Sequence, residues 1–428
     1  MKVLMFGWEF PPHISGGLGT ACYGLTKGMS NIPGLEILFV VPKAFGDEDQ
    51  RIIRLIGANE VEIGKTKIDF QGLLKRIHYI EVNSNIIPYT DPEDYFTLVN
   101  ADRTKTKQFV HTHFSGKIEF TGGYGHNLFQ EIANYALIAS LIAGENNFDV
   151  IHAHDWLTYP AGIAAKQVSG KPLVVHVHAT DFDRSGGNVN PAVYEIEKKG
   201  LDAADKVITV SNLTRDTVIN KYGIHPDKVF TVYNAVDPVI ESQVFSFKRS
   251  LKEKIVTFLG RVTLQKGPEY FIEVANKVLQ KMDNVRFVMA GSGDMLTRMI
   301  HRAAALKIMD KFHFTGFLKG EDVYRMFSLT DVYVMPSVSE PFGISPLEAM
   351  QSNVPVIISR QSGVSEILKH AIKVDFWDIH AMADAIYGIL NYSGLSNFFK
   401  KYGKEEVENL KWENSAYKVK EIYDQIVK

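Results

Sequence analysis

Two carboxylates eight residues apart, Glu340 and Glu348, stand in the stretch SVSEPFGISPLEAM, residues 337–350. Such a pair can serve as general acid and base, cradle a ligand's hydroxyls, or belong to a helix start. Ser345-Pro346-Leu347-Glu348 predicts a helix with Ser345 as N-cap, Pro346 as its first residue and Glu348 closing a capping box. That accounts for Glu348 and leaves Glu340 and the EPFG loop without a structural reason. Helix N-termini attract anions, so a carboxylate just upstream suits sugar hydroxyls while the free N–H groups meet phosphate.

Other residues point the same way. GRVTLQKG (260–267) puts two cations, Arg261 and Lys266, in one loop. They are either solvated surface charges or a clamp on a diphosphate, Arg as a fork and Lys as a point charge. AGSGD (290–294) carries Gly291 in a loop that permits close backbone approach. ISGGLGTACYG carries Gly16, Gly17 and Gly19 and reads either as a phosphate-approaching turn or as a plain strand-to-helix turn. It fails the dinucleotide fingerprint, because Cys22 stands where the third glycine belongs. HAHDW (152–156) and HVHAT (176–180) each hold a His-x-His, which puts both rings on one face of a strand. No carboxylate or cysteine set with metal spacing accompanies them, so no metal is expected. His154, Asp155 and His178 are expected to open toward a ligand, with His152 and His176 inside.

These loops need strands to carry them. Apolar runs at 3–6, 36–41, 76–82, 148–154, 172–178, 206–211 and 229–234 predict a first set of strands, with helices at 126–144 and 188–203. The alternation pauses over 235–254 and restarts with strands at 254–261, 285–293, 311–317, 331–337, 354–360 and 371–375. The expectation is α/β: two Rossmann-like, doubly wound domains, 1–238 and 239–410, facing a cleft. Residues 411–428 hold Trp412, Ala416, Val419, Ile422, Tyr423 and Ile426 at helical spacing, a last helix expected to return to the first domain. Ligands of such sheets bind beyond the carboxyl ends of the strands, where the residues above fall.

Composition sets the bounds. The chain has 428 residues, 45% hydrophobic and 22% charged, with a formal net charge of −2. That balance gives no sign of a nucleic-acid partner. One cysteine, Cys22, excludes an intramolecular disulfide and fits a reducing compartment, so the expected location is cytoplasmic. The N-terminal MKVLMFGWEF reads as a buried strand rather than a signal peptide, and no run reaches the roughly 18 apolar residues of a membrane span. Peripheral membrane contact stays open.

Taken together, PSVSEPFGISPLEAMQSNVPVI, HAHDW, GRVTLQKG and PPHISGGLG resemble, in order, the retaining glycosyltransferases of the GT-B fold, family 4, and within it the glycogen and starch synthase-like branch. The resemblance runs from residue 7 to about 412. It implies hexose transfer, glucose first, from a nucleotide-diphosphate sugar to an α-glucan, with retained configuration and no metal or other cofactor. It equally admits a small-molecule, lipid-linked or other polysaccharide acceptor. It implies that Arg261 and Lys266 hold the diphosphate, that Glu348 binds the ribose and that Glu340 contacts the sugar hydroxyls. It further implies that Gly343 and Ile344 present backbone amides and that His178 lies beside the anomeric carbon. Gly16, Gly17 and Gly19 would cover the phosphates, and Gly291 and Phe317 would flank the donor.

The chain also departs from that pattern. Classical bacterial glycogen synthases carry Lys before the double glycine, where Ser15 stands here, and Asn353 replaces a usual glycine. Residues 84–130 read as an acceptor-side insertion whose Tyr89, Tyr95 and Tyr124 either stack on sugars or pack. Asp181, Asp183 and Arg184 are expected in a mobile loop, with Arg184 a candidate ligand contact. Two rival readings remain at this point: a metal hydrolase built on the four histidines, and a sugar-nucleotide binder without turnover.

Overall fold

The computed structural model describes residues 1–13, 16–48, 50, 53–63, 116–125, 127–238 and 252–427. The chain divides into two compact units: Met1–Asp181, Val189–Asn234 and Trp412–Lys428 form the first, and Phe182–Asn188 with Ala235–Lys411 the second.

The first unit is built on a seven-stranded parallel sheet. Its strands are β1 (Lys2–Phe6), β2 (Glu36–Val41), β3 (Arg54–Gly57), β6 (Val150–His154), β7 (Leu173–Val177), β8 (Lys206–Thr209) and β9 (Val229–Thr231), in the order β3-β2-β1-β6-β7-β8-β9. The short pair β4 (Glu62–Ile63) and β5 (Gly116–Lys117) is antiparallel and lies apart from it. β6 and β7 are buried along their whole length, which is why their sequences are apolar on both faces apart from the histidines. The helices are α1 (Gly17–Ser30), α2 (Leu128–Glu145), α3 (Tyr159–Ser169), α5 (Pro191–Ala203) and α6 (Asn212–Tyr222), while the one-turn α4 (Asp181–Ser185) starts at Asp181 and otherwise belongs to the second unit. Asn190 caps α5 by accepting from the Ala192 N–H, and Ser211 caps α6 by accepting from the Thr214 N–H.

The second unit repeats the plan with six parallel strands. They are β10 (Lys254–Leu259), β11 (Val285–Ala290), β12 (Phe312–Gly316), β13 (Val332–Met335), β14 (Val356–Ser359) and β15 (Ile372–Val374), ordered β12-β11-β10-β13-β14-β15. Their helices are α7 (Pro268–Leu279), α8 (Leu296–Ala305), α9 (Glu321–Leu329), α10 (Ser345–Gln351), α11 (Ile379–Asn391) and α12 (Ser393–Val407). Phe258, Phe271, Phe287 and Phe312 centre a core that α7 closes from one side.

The last helix, α13 (Trp412–Asp424), belongs to the first unit. It packs on α1, and a Cβ at Gly24 or Gly28 would lie 2.2 Å from the Trp412 ring or 2.7 Å from its carbonyl oxygen. Two glycines one turn apart make the groove that takes Trp412. Tyr423 reaches β6 through a hydrogen bond between its hydroxyl and His152 Nδ1.

Several expectations need correction. Strand β3 was missed, because RLIG is short and mixed in polarity. The predicted strand at 76–82 lies outside the described residues, as do Ser15, Tyr89 and Tyr95. Residues 181–185 form a helical turn instead of a mobile loop. The capping box is absent: Ile344 is the N-cap, Ser345 is the first helical residue, and its hydroxyl pairs with the Tyr333 hydroxyl at 2.8 Å.

Candidate active site

In the second unit the loops after β10 and β13 meet. Lys266 follows β10 on a short helical turn, and Gly267 closes that turn at φ +66°, where a Cβ would stand 2.1 Å from the Pro336 carbonyl oxygen. Only glycine lets the two loops come so close. The Val338 N–H donates to the Gln265 carbonyl at 2.9 Å and fastens them. The result is an ion pair between residues 74 apart in sequence: Lys266 Nζ donates to Glu340 Oε2 at 2.5 Å. Ser337 Oγ donates to the same oxygen at 3.2 Å. The Glu340 backbone is tied on both sides, its N–H to the Gln361 carbonyl and its carbonyl to the Gly363 N–H, each at 2.9 Å. Gly343, at φ +99°, lies against the Glu340 side chain, since a Cβ there would be 3.2 Å from Glu340 Cγ. Ile344 follows as the cap of α10.

Glu348 sits one turn into α10. Desolvation pushes its carboxyl up from the usual 4.5 to about 7. Tyr324 on α9 is pushed up to about 12, first by burial and then by the Glu348 charge. Arg261 lies within electrostatic reach of Asp294, whose carboxyl is raised by burial and partly held down by that guanidinium. Asp294 was not singled out from the sequence, though AGSGD contains it. Gly291, at φ +144°, serves the packing of these loops: a Cβ would lie 1.8 Å from the Gly260 carbonyl oxygen. Phe317, just past β12, is 48% exposed with Lys319 Nζ 5.5 Å from its ring centre.

The segment Phe182–Asn188 also belongs to this unit. Asp183 accepts from Ser339 Oγ at 2.6 Å, one residue before Glu340. Arg184 is half-buried on the same turn. A sequence scan had no means of linking these residues to Glu340, because the contact spans 156 positions.

In the first unit, α1 and the ends of β6 and β7 gather the histidines. Gly16 and Gly17 open α1, with nothing within 4 Å of an added Cβ, while Gly19 is buried in its first turn. His154 Nδ1 and His178 Nε2 share a hydrogen bond at 3.0 Å, and Cys22 Sγ lies 4.0 Å from His178 Nε2. The expectation that His154 and Asp155 open outward with His178 is overturned: both are buried, and only His178 keeps exposed surface. Asp155 sits at φ +63° and accepts from the N–H groups of His178 and Ala179 at 3.3 Å. Its carboxylate therefore holds the end of β7. Burial lowers His152 and His178 to about 3, and His154 and His176 well below their usual value. All four rings are neutral near pH 7. Tyr124 is half-buried in the stretch before α2, where Glu131 accepts from the N–H groups of Thr121 and Gly122.

Comparison with known proteins decides the class. Residues 239–406 match the family Glycosyl transferases group 1, and residues 101–239 match Glycosyltransferase Family 4. The chain is a glycosyltransferase. It has the GT-B fold, with its family 4 match in the first half and its group 1 match in the second. It is 29% identical to an uncharacterized glycosyltransferase of Methanocaldococcus jannaschii, over 99% of this chain and 98% of that protein. A glycogen synthase of Mycobacterium tuberculosis is 22% identical over 99% of this chain and 94% of its own. Among solved structures, Anabaena HepE in complex with UDP-glucose superposes with a TM-score of 0.66 at 16% identity, covering 99% of this glycosyltransferase and all of that chain. Further relatives are named D-inositol 3-phosphate glycosyltransferase and alpha-maltose-1-phosphate synthase. Among the described residues, no helix of the glycosyltransferase is long and apolar enough to cross a membrane.

Proposed function

We propose that this glycosyltransferase moves glucose from a nucleoside diphosphate sugar to an α-glucan, keeping the anomeric configuration and using no metal in the transfer step. The observation that carries the reading is the Lys266–Glu340 pair, braced by Ser337 and by glycine-dependent loop contacts. A cation and an anion held side by side suit a ligand with a diphosphate next to a polyol. Lys266 and Arg261 take the negative charge that develops on the departing diphosphate, and Glu340 accepts from sugar hydroxyls. Glu348 accepts from the ribose, with the amides of Gly343 and Ile344 on the sugar or phosphate. Gly291 and Phe317 border the donor, and Gly16, Gly17 and Gly19 cover its phosphates. His178 stands beside the anomeric carbon, with His154 and Asp155 fixing it in place. Tyr124 and Arg184 lie on the acceptor side. The work is leaving-group stabilisation and positioning, without the acid/base carboxylate pair of a glycosidase.

The M. tuberculosis glycogen synthase, matched over nearly its full length, supports the glucan acceptor. A second reading keeps the donor chemistry and changes the acceptor to a small molecule, a lipid-linked sugar or another polysaccharide. Relatives named for inositol phosphate and maltose 1-phosphate favour it. The test is release of nucleoside diphosphate from UDP-, ADP- and GDP-glucose, with and without glycogen primer. UDP-glucose comes first because the Anabaena neighbour holds it. Primer-dependent release from one donor supports the glucan reading and names the base. No primer-dependent release from any donor removes the glucan reading, moves the acceptor to the second and reopens the choice of sugar.

A further inference from the structure

Register pairs His154 of β6 with His176 of β7, and His152 lies two residues back on the same face of β6. The three rings pack together, with centroids 4.3, 5.4 and 5.3 Å apart. All three residues are at most 1% exposed. A neutral imidazole has one donor and one acceptor nitrogen, and buried polar atoms are ordinarily paired. Here His152 Nε2, His154 Nε2 and both nitrogens of His176 have no hydrogen-bond partner. Four unpaired ring nitrogens in one buried cluster call for an occupant. Each of the three residues offers a nitrogen within 4.8 Å of the other two.

We propose that His152, His154 and His176 bind a divalent transition-metal ion of the imidazole-preferring class, such as Zn²⁺, as a structural site of the first unit. This goes beyond the transfer chemistry, in which His154 positions His178 while His152 and His176 take no part. The outer nitrogens support it. Metal-bound imidazoles hold their second nitrogen on a fixed partner. His152 Nδ1 has the Tyr423 hydroxyl, and His154 Nδ1 has His178 Nε2 at 3.0 Å. The ion would join β6, β7 and, through Tyr423, α13. It would also settle a tautomer: with His154 Nε2 on the metal, the His154 proton sits on Nδ1 and is donated to His178 Nε2, leaving the His178 proton on Nδ1. Zn–N bonds of about 2.0–2.1 Å set the reach the three nitrogens must share, and the rings that carry them now lie 18–28° from parallel.

A competing set, Cys22 with His154 and His178, also has its ligand atoms within 4.8 Å of one another, and the experiment separates the two. Full-length protein, purified without a metal-affinity tag and stripped with chelator, is dialysed against Zn²⁺ or Co²⁺. Bound metal, thermal midpoint and the Co²⁺ spectrum are then read. The proposal expects one ion per chain, a raised midpoint, and Co²⁺ bands in the visible with no thiolate charge-transfer band. His176→Gln should lose the ion while Cys22→Ser keeps it. If His176→Gln fails to fold, Tyr423→Phe serves instead, with affinity expected to fall roughly 10-fold or more. No stoichiometric ion in the wild-type chain would overturn the proposal and assign the nitrogens to buried water. A thiolate band lost in Cys22→Ser would also overturn it and move the ion to the cysteine set.

Discussion

The two units share a plan and equip it differently. Each is a parallel sheet whose central strands deliver chemistry at their carboxyl ends. In the first unit the polar residues lie on the strands themselves: His152, His154 and His176 are buried and neutral. In the second they lie on loops: Lys266 and Glu340 face each other as an ion pair at 2.5 Å. Strand positions give rigid placement and heavy desolvation, which suits groups that stay uncharged. Loops braced by glycine and backbone hydrogen bonds instead set a partly exposed lysine, 22% at its side chain, against a buried carboxylate, 7% at Glu340.

The comparison breaks first at the ion pair. Lys266→Ala and Glu340→Ala are each expected to lower turnover by a factor of roughly 100–1000, the usual loss for a group that stabilises developing charge. Near-wild-type turnover in both would remove the charged half of the contrast.

Next comes the seat of the C-terminal helix. Trp412→Ala is expected to destabilise by about 3–5 kcal/mol, because the ring fills the groove at Gly24 and Gly28. Hydrogen exchange should show the loss in β1, β6 and α1 while β10–β14 stay protected. Uniform deprotection would mean the units unfold as one.

Gly291→Ala should cost about 2–3 kcal/mol, since a Cβ would strike the Gly260 carbonyl oxygen at a φ that L residues rarely adopt. Gly17→Ala has open space and should change stability by less than about 0.5 kcal/mol. Equal melting shifts for the two variants would contradict this assignment of the glycines.

The smallest effect is the titration of Glu348. Its folded value of about 7 lies above its usual 4.5. The folded chain keeps a proton that the unfolded chain releases, so this contribution to stability is complete below pH 4.5 and is lost as the pH rises through 7. A ribose-binding carboxylate works ionised, so donor KM should fall over the same rise, and Glu348→Gln should flatten both profiles. A wild-type KM independent of pH from 5.5 to 8.5 would detach Glu348 from donor binding.

Much was legible in the residues. Runs such as EILFVV and KIVTFL announce buried parallel strands; the first falls where it was read and the second ends two residues early. The site loops were legible because glycine, Arg, Lys and Glu cluster just after such runs. Less legible were contacts with no local signature. β3 is too short and polar for periodicity, and the reading of Ser345 as a cap failed because Tyr333, twelve residues away, takes its hydroxyl. His154 and Asp155 were expected to face outward because they end a strand, yet the main chain of residues 176–179 encloses Asp155.

By itself the sequence determined two α/β sheets, the order of their strands' chemistry and the residue types available at each carboxyl end, because burial and turn chemistry act over a few residues. Tertiary structure alone decided which charges pair, which glycines serve packing rather than ligand, and which histidines lose their solvent. Lys266 and Glu340 meet across 74 residues, Asp183 and Ser339 across 156, and Tyr423 and His152 across 271. Pairings at such separations are set by how strands and helices stack, and no local pattern of residues encodes them.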